Sequence, residues 1–287
     1  MWYYGHDMID LHVHSTKSDG SLSPTELVDA ALKVPLTAMA LTDHDTVSGI
    51  DEALSAAQGT GLEVIPGVEL SADYNGKEIH VVGLYVNHSN PKLNEYLDHF
   101  LETRDIRNIR MCEVLSADGY NINIEELKEA FPGCVLTRAH VARLLMKKGY
   151  VHSVKEAFDR FLGDHCKYFI PREKITGEDA IALIKTAGGI PVLAHPILYH
   201  MGSERLELMI SELSAAGLEA IEAKYCTYTS SDERQIKELA RKYNLQISGG
   251  SDYHGVVKPG LKLGIGYGKL YIDDSILKDM LSNLRRI

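Results

Sequence analysis

Short apolar runs rich in β-branched residues alternate along the chain with stretches of helical periodicity. This alternation is typical of repeated β-α units that build a mostly parallel sheet. The predicted strands are 8–13, 37–42, 62–69, 77–86, 190–194, 218–222 and 245–248. The predicted helices between or after them are 24–34, 47–58, 177–186, 204–216, 232–243 and 274–284. Seven strands are enough to close a barrel, so the pattern predicts an α/β barrel.

The alternation breaks between about Asn94 and Lys167, where helical patterns follow one another without a strand. These patterns cover 93–116, 124–130, 137–148 and 153–161. A long connection of this kind between a strand and the next unit indicates an inserted subdomain. We therefore expect a barrel domain at 1–93 and 168–287, and a helical insertion at 94–167 that covers the active-site face.

Composition narrows the class of protein without identifying its chemistry. The chain has 287 residues, of which 45% are apolar and 24% charged, as is usual for soluble globular proteins. No apolar run of about 18 residues and no leader pattern is present, so we expect a cytoplasmic protein without a membrane segment. The four cysteines form no C-x-x-C pair, which argues against a cysteine metal site. A net charge of −10 argues against long nucleic acid as a partner, because such binding needs a broad basic face.

Histidines and carboxylates stand where the apolar strands end. His12 and His14 are two residues apart at the end of the first strand, so their side chains point to the same side. The groups that follow the first strand or stand at the ends of later ones are Asp19, His44, Glu69, His195, Asp252 and His254. In a barrel of parallel strands these ends open on one face, where active sites are built. His80 lies nearer the start of its strand and fits this pattern less well.

Imidazole and carboxylate groups are the ligands expected for Zn, Mn or Fe, whereas Mg prefers oxygen ligands. Nine such groups exceed the needs of one tetrahedral ion, so we expect two or three divalent ions with Glu69 bridging a pair. Burying so many polar groups without ions or partners would be costly. Ions about 3.5–4 Å apart can generate a hydroxide and hold both oxygens of a displacement at phosphorus. The sequence therefore predicts metal-dependent hydrolysis of a phosphate ester.

The segments HVH, DG, TDHD, GVE, IH, AHP and SDYH, in this order and spacing, resemble the PHP family, named for polymerase and histidinol phosphatase. The resemblance runs from about Met8 to Gly264. It includes TRAHVARLLMKKGYV and EAFDRFLGD in the insertion, which are similar to the branch of small nucleotide phosphatases. It implies a distorted seven-stranded, TIM-like β/α barrel with a trinuclear site. The ligands that it implies are His12, His14, Asp19, His44, Glu69, His80, His195, Asp252 and His254.

The same resemblance implies an activity. Members of this branch hydrolyse the 3′-phosphate of nucleoside 3′,5′-bisphosphates, and some trim short oligoribonucleotides from the 5′ end. A small phosphorylated substrate, a nucleotide, is therefore expected, and no protein partner is indicated. Asp19, His195 and His254 are also assigned to catalysis. A ligated imidazole is a poor free acid, so the group that protonates the leaving oxygen stays open.

Three further residues are expected to contact the substrate. Arg138 presents a planar fork that suits two phosphate oxygens, although Ala139 stands where the family usually has proline. His140 follows in the same segment. Lys224 stands where relatives tend to carry an aromatic pair, and we expect it to replace a lost cation.

Two acidic residues beside His44 are expected to support the site without binding an ion. We expect Asp43 to orient the imidazole of His44 and Asp45 to lie at a helix N-terminus.

Two alternative functions remain open. A histidinol-phosphate or other small phosphomonoester phosphatase would share the fold, but the insertion disfavours it. A noncatalytic metal-binding module of the kind carried by some polymerases is disfavoured because all nine ligand positions are filled and no polymerase domain is attached.

Overall fold

The computed structural model describes residues 8–164, 166–171 and 173–284. All seven predicted strands are present, together with one short additional strand, β5. The strands are β1 (Met8–Val13), β2 (Leu36–Leu41), β3 (Glu63–Tyr74), β4 (Lys77–Leu84), β5 (Ile175–Thr176), β6 (Ile190–Leu193), β7 (Ala220–Tyr225) and β8 (Gln246–Gly250). The helices are α1 (Pro24–Ala31), α2 (Ile50–Ala57), α3 (Pro91–Ala117), α4 (Ile124–Ala130), α5 (Arg138–Lys147), α6 (Val154–Ala157), α7 (Gly177–Thr186), α8 (Ser203–Ala215), α9 (Ser230–Lys242) and α10 (Ser275–Leu284).

Seven strands form a nearly closed barrel in the order β1-β2-β3-β4-β6-β7-β8, and β5 pairs with β3 outside this path. The two ends of the sheet meet where Val13 of β1 bridges Tyr253, just beyond β8. The backbone N–H of His14 donates to the carbonyl oxygen of Tyr253 at 2.9 Å. The predicted distorted seven-stranded barrel is confirmed.

Strand β4 departs from the parallel pattern, since it runs antiparallel to both β3 and β6. Only Asn75 and Gly76 connect β3 to β4, and both have positive φ angles, of 51° and 79°. A two-residue turn of this kind forms an antiparallel hairpin, whereas parallel strands need a crossover of a dozen or more residues. The beginning of β4 therefore lies at the barrel end where the parallel strands finish.

The barrel interior is filled by apolar side chains from six of its strands. Among the fully buried members of this core are Ile9, Ile65, Val82, Val192 and Ala220. This apolar core leaves the carboxyl ends of the parallel strands for polar side chains.

The described chain divides into two compact units, one running up to Asn94 and again from Ile175, the other spanning Glu95–Lys174. The second unit corresponds to the helical insertion and has a hydrophobic core of its own, which includes Met111, Leu144 and Phe161. The expectation that it covers the active-site face stays a prediction. No helix of the described residues is both long and apolar enough to cross a membrane.

Candidate metal centre

Glu69, near the middle of β3, lies at the centre of a cluster of histidines. Its side chain is 1% exposed. Its Oε2 faces three imidazole nitrogens: His12 Nε2 at 3.3 Å, His14 Nε2 at 3.3 Å and His44 Nδ1 at 3.0 Å. Its Oε1 faces two more: His80 Nδ1 at 2.8 Å and His195 Nε2 at 3.1 Å. One carboxylate thus gathers five imidazoles.

Two further carboxylates extend the cluster. Asp19 Oδ1 lies 3.2 Å from His254 Nε2, and its Oδ2 lies 4.0 Å from His44 Nε2. Asp252 Oδ1 lies 3.2 Å from His14 Nε2 and 3.3 Å from His254 Nδ1. The structure therefore brings all nine sequence-predicted ligand positions together at one end of the barrel.

The cluster divides into four groups whose ligand atoms all lie within 4.8 Å of one another. The groups are His14, Asp19, His44 and His254; His12, Glu69 and His195; His12, His14 and Asp252; and His44, Glu69 and His80. Glu69, His12, His14 and His44 each belong to two groups. Any ions held here would be neighbours.

The hydrogen bonds of His12 test whether a cation fits. Its Nδ1 lies 2.9 Å from Glu222 Oε1, and because a carboxylate only accepts, Nδ1 carries the proton. In the neutral ring the other nitrogen, Nε2, then presents a lone pair to Glu69 Oε2; it is buried and makes no hydrogen bond. Both nitrogens of His14 are likewise buried without a hydrogen bond. Acceptors facing acceptors in a buried site are costly unless a cation lies between them, so this donor set suits divalent ions.

The electrostatics point the same way. Burial opposes the charged form of His14, yet the nearby carboxylates of Asp252 and Glu69 raise its pKa to about 9. Burial likewise opposes charge on His80, but Glu69 raises its pKa to about 10. A site that stabilises a proton on an imidazole through nearby carboxylates also attracts a metal ion in its place.

His254 behaves differently. Burial, and then the positive charge of Lys258, lower its pKa to about 4. Its Nδ1 donates to the carbonyl oxygen of Asp252 at 2.9 Å, which leaves Nε2 for a ligand role beside Asp19. Burial also lowers the pKa of His195. Both rings are therefore neutral at neutral pH.

Two of the predicted ligands, just beyond the ends of their strands, have positive φ angles. His195 follows β6 with a φ of 29°, and Asp252 follows β8 with a φ of 53°. Such angles are unfavourable for residues with a side chain and cluster at functional sites. Gly250 allows β8 to approach β1, because a Cβ atom there would lie 2.2 Å from the Cβ of His12.

Glu222 is a functional residue that the sequence analysis missed. It is 1% exposed, and its two oxygens accept hydrogen bonds from His12 Nδ1 and from the backbone N–H of His195, at 2.9 and 2.7 Å. A carboxylate on the far side of a ligating imidazole fixes its tautomer and orientation. The sequence held a signal for it, since an acidic residue ends an apolar strand here just as Glu69 does.

The two acidic residues beside His44 do not act as expected. Asp43 accepts hydrogen bonds from the N–H and hydroxyl of Ser15 and from the hydroxyl of Ser18, at 2.6 to 2.7 Å. It therefore fixes the loop that leads to Asp19. Asp45 accepts from Ser71, whereas α2 begins only at Ile50, so the predicted helix N-terminal role is wrong.

The two predicted substrate residues of the insertion have contacts inside that unit. Arg138 donates to Asp164 Oδ1 at 2.9 Å, and its guanidinium lies over the ring of Phe169. His140 is 1% exposed, and its Nδ1 accepts from the backbone N–H of Thr137 at 2.9 Å. A substrate role for either residue stays a prediction.

Lys224 lies on β7, in the same unit as the cluster. Its Nζ donates to the carbonyl oxygen of Tyr271 at 3.0 Å and lies 3.9 Å from Glu233. Neither partner belongs to the cluster. The predicted substrate role of Lys224 stays a prediction.

Comparison with known proteins identifies the family. Residues 10–176 match the model of the PHP domain. The chain belongs to the PHP family. A 5′-3′ exoribonuclease of Haemophilus influenzae is 39% identical over 245 residues, which cover 85% of this chain and 89% of that protein. A 3′,5′-nucleoside bisphosphate phosphatase of Chromobacterium violaceum is 33% identical over 264 residues, which cover 89% of this chain and 90% of that protein.

Solved structures agree. The structure of a Bifidobacterium adolescentis protein assigned as a metal-dependent phosphoesterase matches with a TM-score of 0.85 and 29% identity, and 96% of each chain is covered. This PHP protein is therefore a metal-dependent phosphoesterase, a hydrolase of phosphoric ester bonds. The predictions of family, barrel fold and reaction class are confirmed, and the cluster of histidines and carboxylates is capable of binding metal.

Proposed function

We propose that this PHP phosphoesterase removes the 3′-phosphate of nucleoside 3′,5′-bisphosphates and that it also trims short RNA from the 5′ end. The observation that carries the proposal is the cluster around Glu69, whose overlapping ligand groups suit adjacent ions. Adjacent ions suit displacement at phosphorus. The names of the Chromobacterium and Haemophilus relatives support the choice of substrates, since each aligns with more than four fifths of the chain.

The same proposal includes two or three ions of Mn, Fe or Zn. The overlap of the groups at Glu69, His12, His14 and His44 supports more than one ion, and the many imidazoles favour these three metals over Mg. When bound, such ions lower the pKa of water and polarise phosphoryl oxygens. A small phosphorylated substrate and a cytoplasmic location are also part of the proposal.

The chain's own residues hold and orient this centre. Glu222 fixes the tautomer of His12, and Asp43 fixes the loop that carries Asp19. His195 and His254 stay candidates for proton transfer, but their lowered pKa values leave both rings in the neutral form at neutral pH, which suits a ligand and not a general acid. The pKa of Asp19 lies well below its usual range, because the charges of His44 and His254 outweigh the effect of its burial.

Arg138 is proposed to bind the phosphate that is not cleaved. Its guanidinium is paired with Asp164, so a substrate phosphate would compete with or extend this pair. We expect Arg138→Ala to raise KM while leaving the metal content unchanged, because its contacts lie in the insertion and not at the nine ligands.

The decisive experiment measures phosphate release by the manganese-loaded protein. The substrates are adenosine 3′,5′-bisphosphate, 5′-AMP, 3′-AMP, histidinol phosphate and a short 5′-phosphorylated RNA. Asp19→Ala removes one predicted ligand, and Asp29→Ala on the exposed face of α1 is the matched control. We expect selective release of the 3′-phosphate, which is lost in Asp19→Ala and kept in Asp29→Ala.

Other outcomes would redirect the proposal. Preference for histidinol phosphate would favour the small phosphomonoester phosphatase. Turnover of RNA alone would leave the exonuclease as the main activity. If the metal-loaded protein turned over none of these compounds, the proposed substrates would be wrong.

A further inference from the structure

Lys258 reaches the metal centre from the loop that follows β8. Its Nζ donates to Asp252 Oδ2 at 2.5 Å and lies 3.4 Å from the backbone carbonyl oxygen of the same residue. The hydroxyl of Tyr225 donates to Oδ2 as well, at 2.6 Å. This lysine was not among the residues singled out from the sequence.

The two oxygens of Asp252 face different partners. Oδ1 lies 3.2 Å from His14 Nε2, in the group of His12, His14 and Asp252 that could hold an ion. Oδ2 is held by Tyr225 and Lys258 on the opposite side. The ammonium group therefore lies beside the ions' binding region without occupying a ligand position.

Lys258 also has capacity for another partner. An ammonium group has three N–H donors, and the two Asp252 oxygens take at most two of them. The side chain is 35% exposed, whereas that of Asp252 is 8% exposed. Part of the lysine side chain is thus open to solvent beside a buried carboxylate.

We propose that Lys258 binds an oxygen of the phosphoryl group of the substrate, with Asp252 and Tyr225 holding the ammonium group in position. The inference rests on the proposed function, since it assumes that a phosphate ester enters this centre. It assigns to Lys258 the role that the sequence analysis gave to Lys224. A lysine is suited to it, because its compact charge can meet one phosphate oxygen while the ions take the others.

The test measures the binding of inorganic phosphate to manganese-loaded protein by titration calorimetry, with bound metal counted by mass spectrometry. Lys258→Met should bind phosphate about 10- to 100-fold more weakly, the loss expected for a hydrogen bond between charged groups. Its metal content should stay at the wild-type value, and Lys258→Arg should recover most of the affinity. Lys262→Ala, an exposed lysine of the same loop, should change neither quantity.

Tyr225→Phe separates phosphate binding from positioning, because it removes the other donor to Asp252 Oδ2. We expect Tyr225→Phe to lose metal but to keep its phosphate affinity per metal-loaded site. If Lys258 only positioned Asp252, Lys258→Met would give this same result, which would overturn the inference. Lys258→Gln, which keeps a donor, gives the same measurement if the methionine variant fails to fold.

Phosphate binding and nucleotide hydrolysis are measured separately, so failure of the inference can be distinguished from failure of the proposed function. If phosphate binding depends on Lys258 but no nucleotide is hydrolysed, the proposed function fails and the inference stands. If Lys258→Met hydrolyses the bisphosphate as well as the wild type does, the inference fails and the proposed function stands.

Discussion

Glu222 offers a sharp test of how the metal centre is held. Both of its oxygens are used: Oε1 by His12 Nδ1 at 2.9 Å and Oε2 by the backbone N–H of His195 at 2.7 Å. Glu222→Ala removes both acceptors and leaves the backbone N–H of His195 without its acceptor. We expect metal affinity to fall by about 10- to 100-fold, the usual effect of losing such a partner of a ligating histidine. The metal-free protein should also lose about 1–3 kcal/mol of unfolding free energy, because a buried N–H is left unsatisfied.

Glu222→Gln is the more informative variant, because it keeps the volume and changes only the donor pattern. The amide oxygen can still accept from the N–H of His195. The amide nitrogen then faces His12 Nδ1, which has to accept, and the ring proton moves to Nε2, the nitrogen that faces Glu69. We therefore expect metal affinity to fall as far as in Glu222→Ala, with a smaller loss of stability.

The assay is competition with a chelator for manganese, with urea unfolding of the metal-free proteins alongside. Glu238→Gln on the exposed face of α9 is the matched control and should leave both quantities unchanged. Wild-type metal affinity in Glu222→Gln would refute the argument from the tautomer of His12. Full metal binding by Glu222→Ala would refute the orienting role altogether.

Three other perturbations follow from the structure. Gly250→Ala places a Cβ atom 2.2 Å from that of His12, so urea unfolding should show a loss of about 1–3 kcal/mol in unfolding free energy. Gly202→Ala, with open space around it, should change the stability little. Equal stabilities of the two variants would contradict the close approach. Free manganese at roughly 100 times its Kd should stabilise the fold by about 2.7 kcal/mol, and an unchanged melting temperature after chelation would argue against a buried metal site. Burial raises the pKa of the Cys112 thiol to about 11, so alkylation at pH 8, followed by peptide mass mapping, should be slow in the native protein and fast in urea; rapid native modification would contradict this packing.

The convergence of the nine predicted ligand positions could be anticipated because most of it depends on simple geometry. Residues two apart on a strand share a side, and parallel strands in a barrel finish at one end. His80 fits this rule less well on the sequence alone, because it lies near the start of its strand. The turn at Asn75 and Gly76 explains it, because an antiparallel β4 brings its beginning to the end where the other strands finish.

The substrate-side residues do not follow from the same geometry. In a regular strand, Lys224 would point to the same side as Glu222, towards the cluster. The pairing of β7 with β8 shifts register between these two residues, and a shift of this kind redirects the side chains beyond it. Lys258 lies in an irregular loop, where no spacing rule gives the direction of a side chain.

The charges around the cluster indicate why a phosphate-binding site there would need both metal ions and Lys258. The protein carries a net charge of −10, and the pKa values of Glu69 and Asp252 lie well below the usual range, because the positive charges around them outweigh their burial. A phosphate ester would be repelled by such a site if the protein's carboxylates were its main charges. Bound divalent ions would reverse the sign at the carboxyl end of the barrel, and an ammonium group held beside Asp252 would extend the positive region beyond the ligands. On this proposal the two tasks are separate: buried imidazoles and carboxylates would hold the ions, and a partly exposed lysine would meet the phosphate.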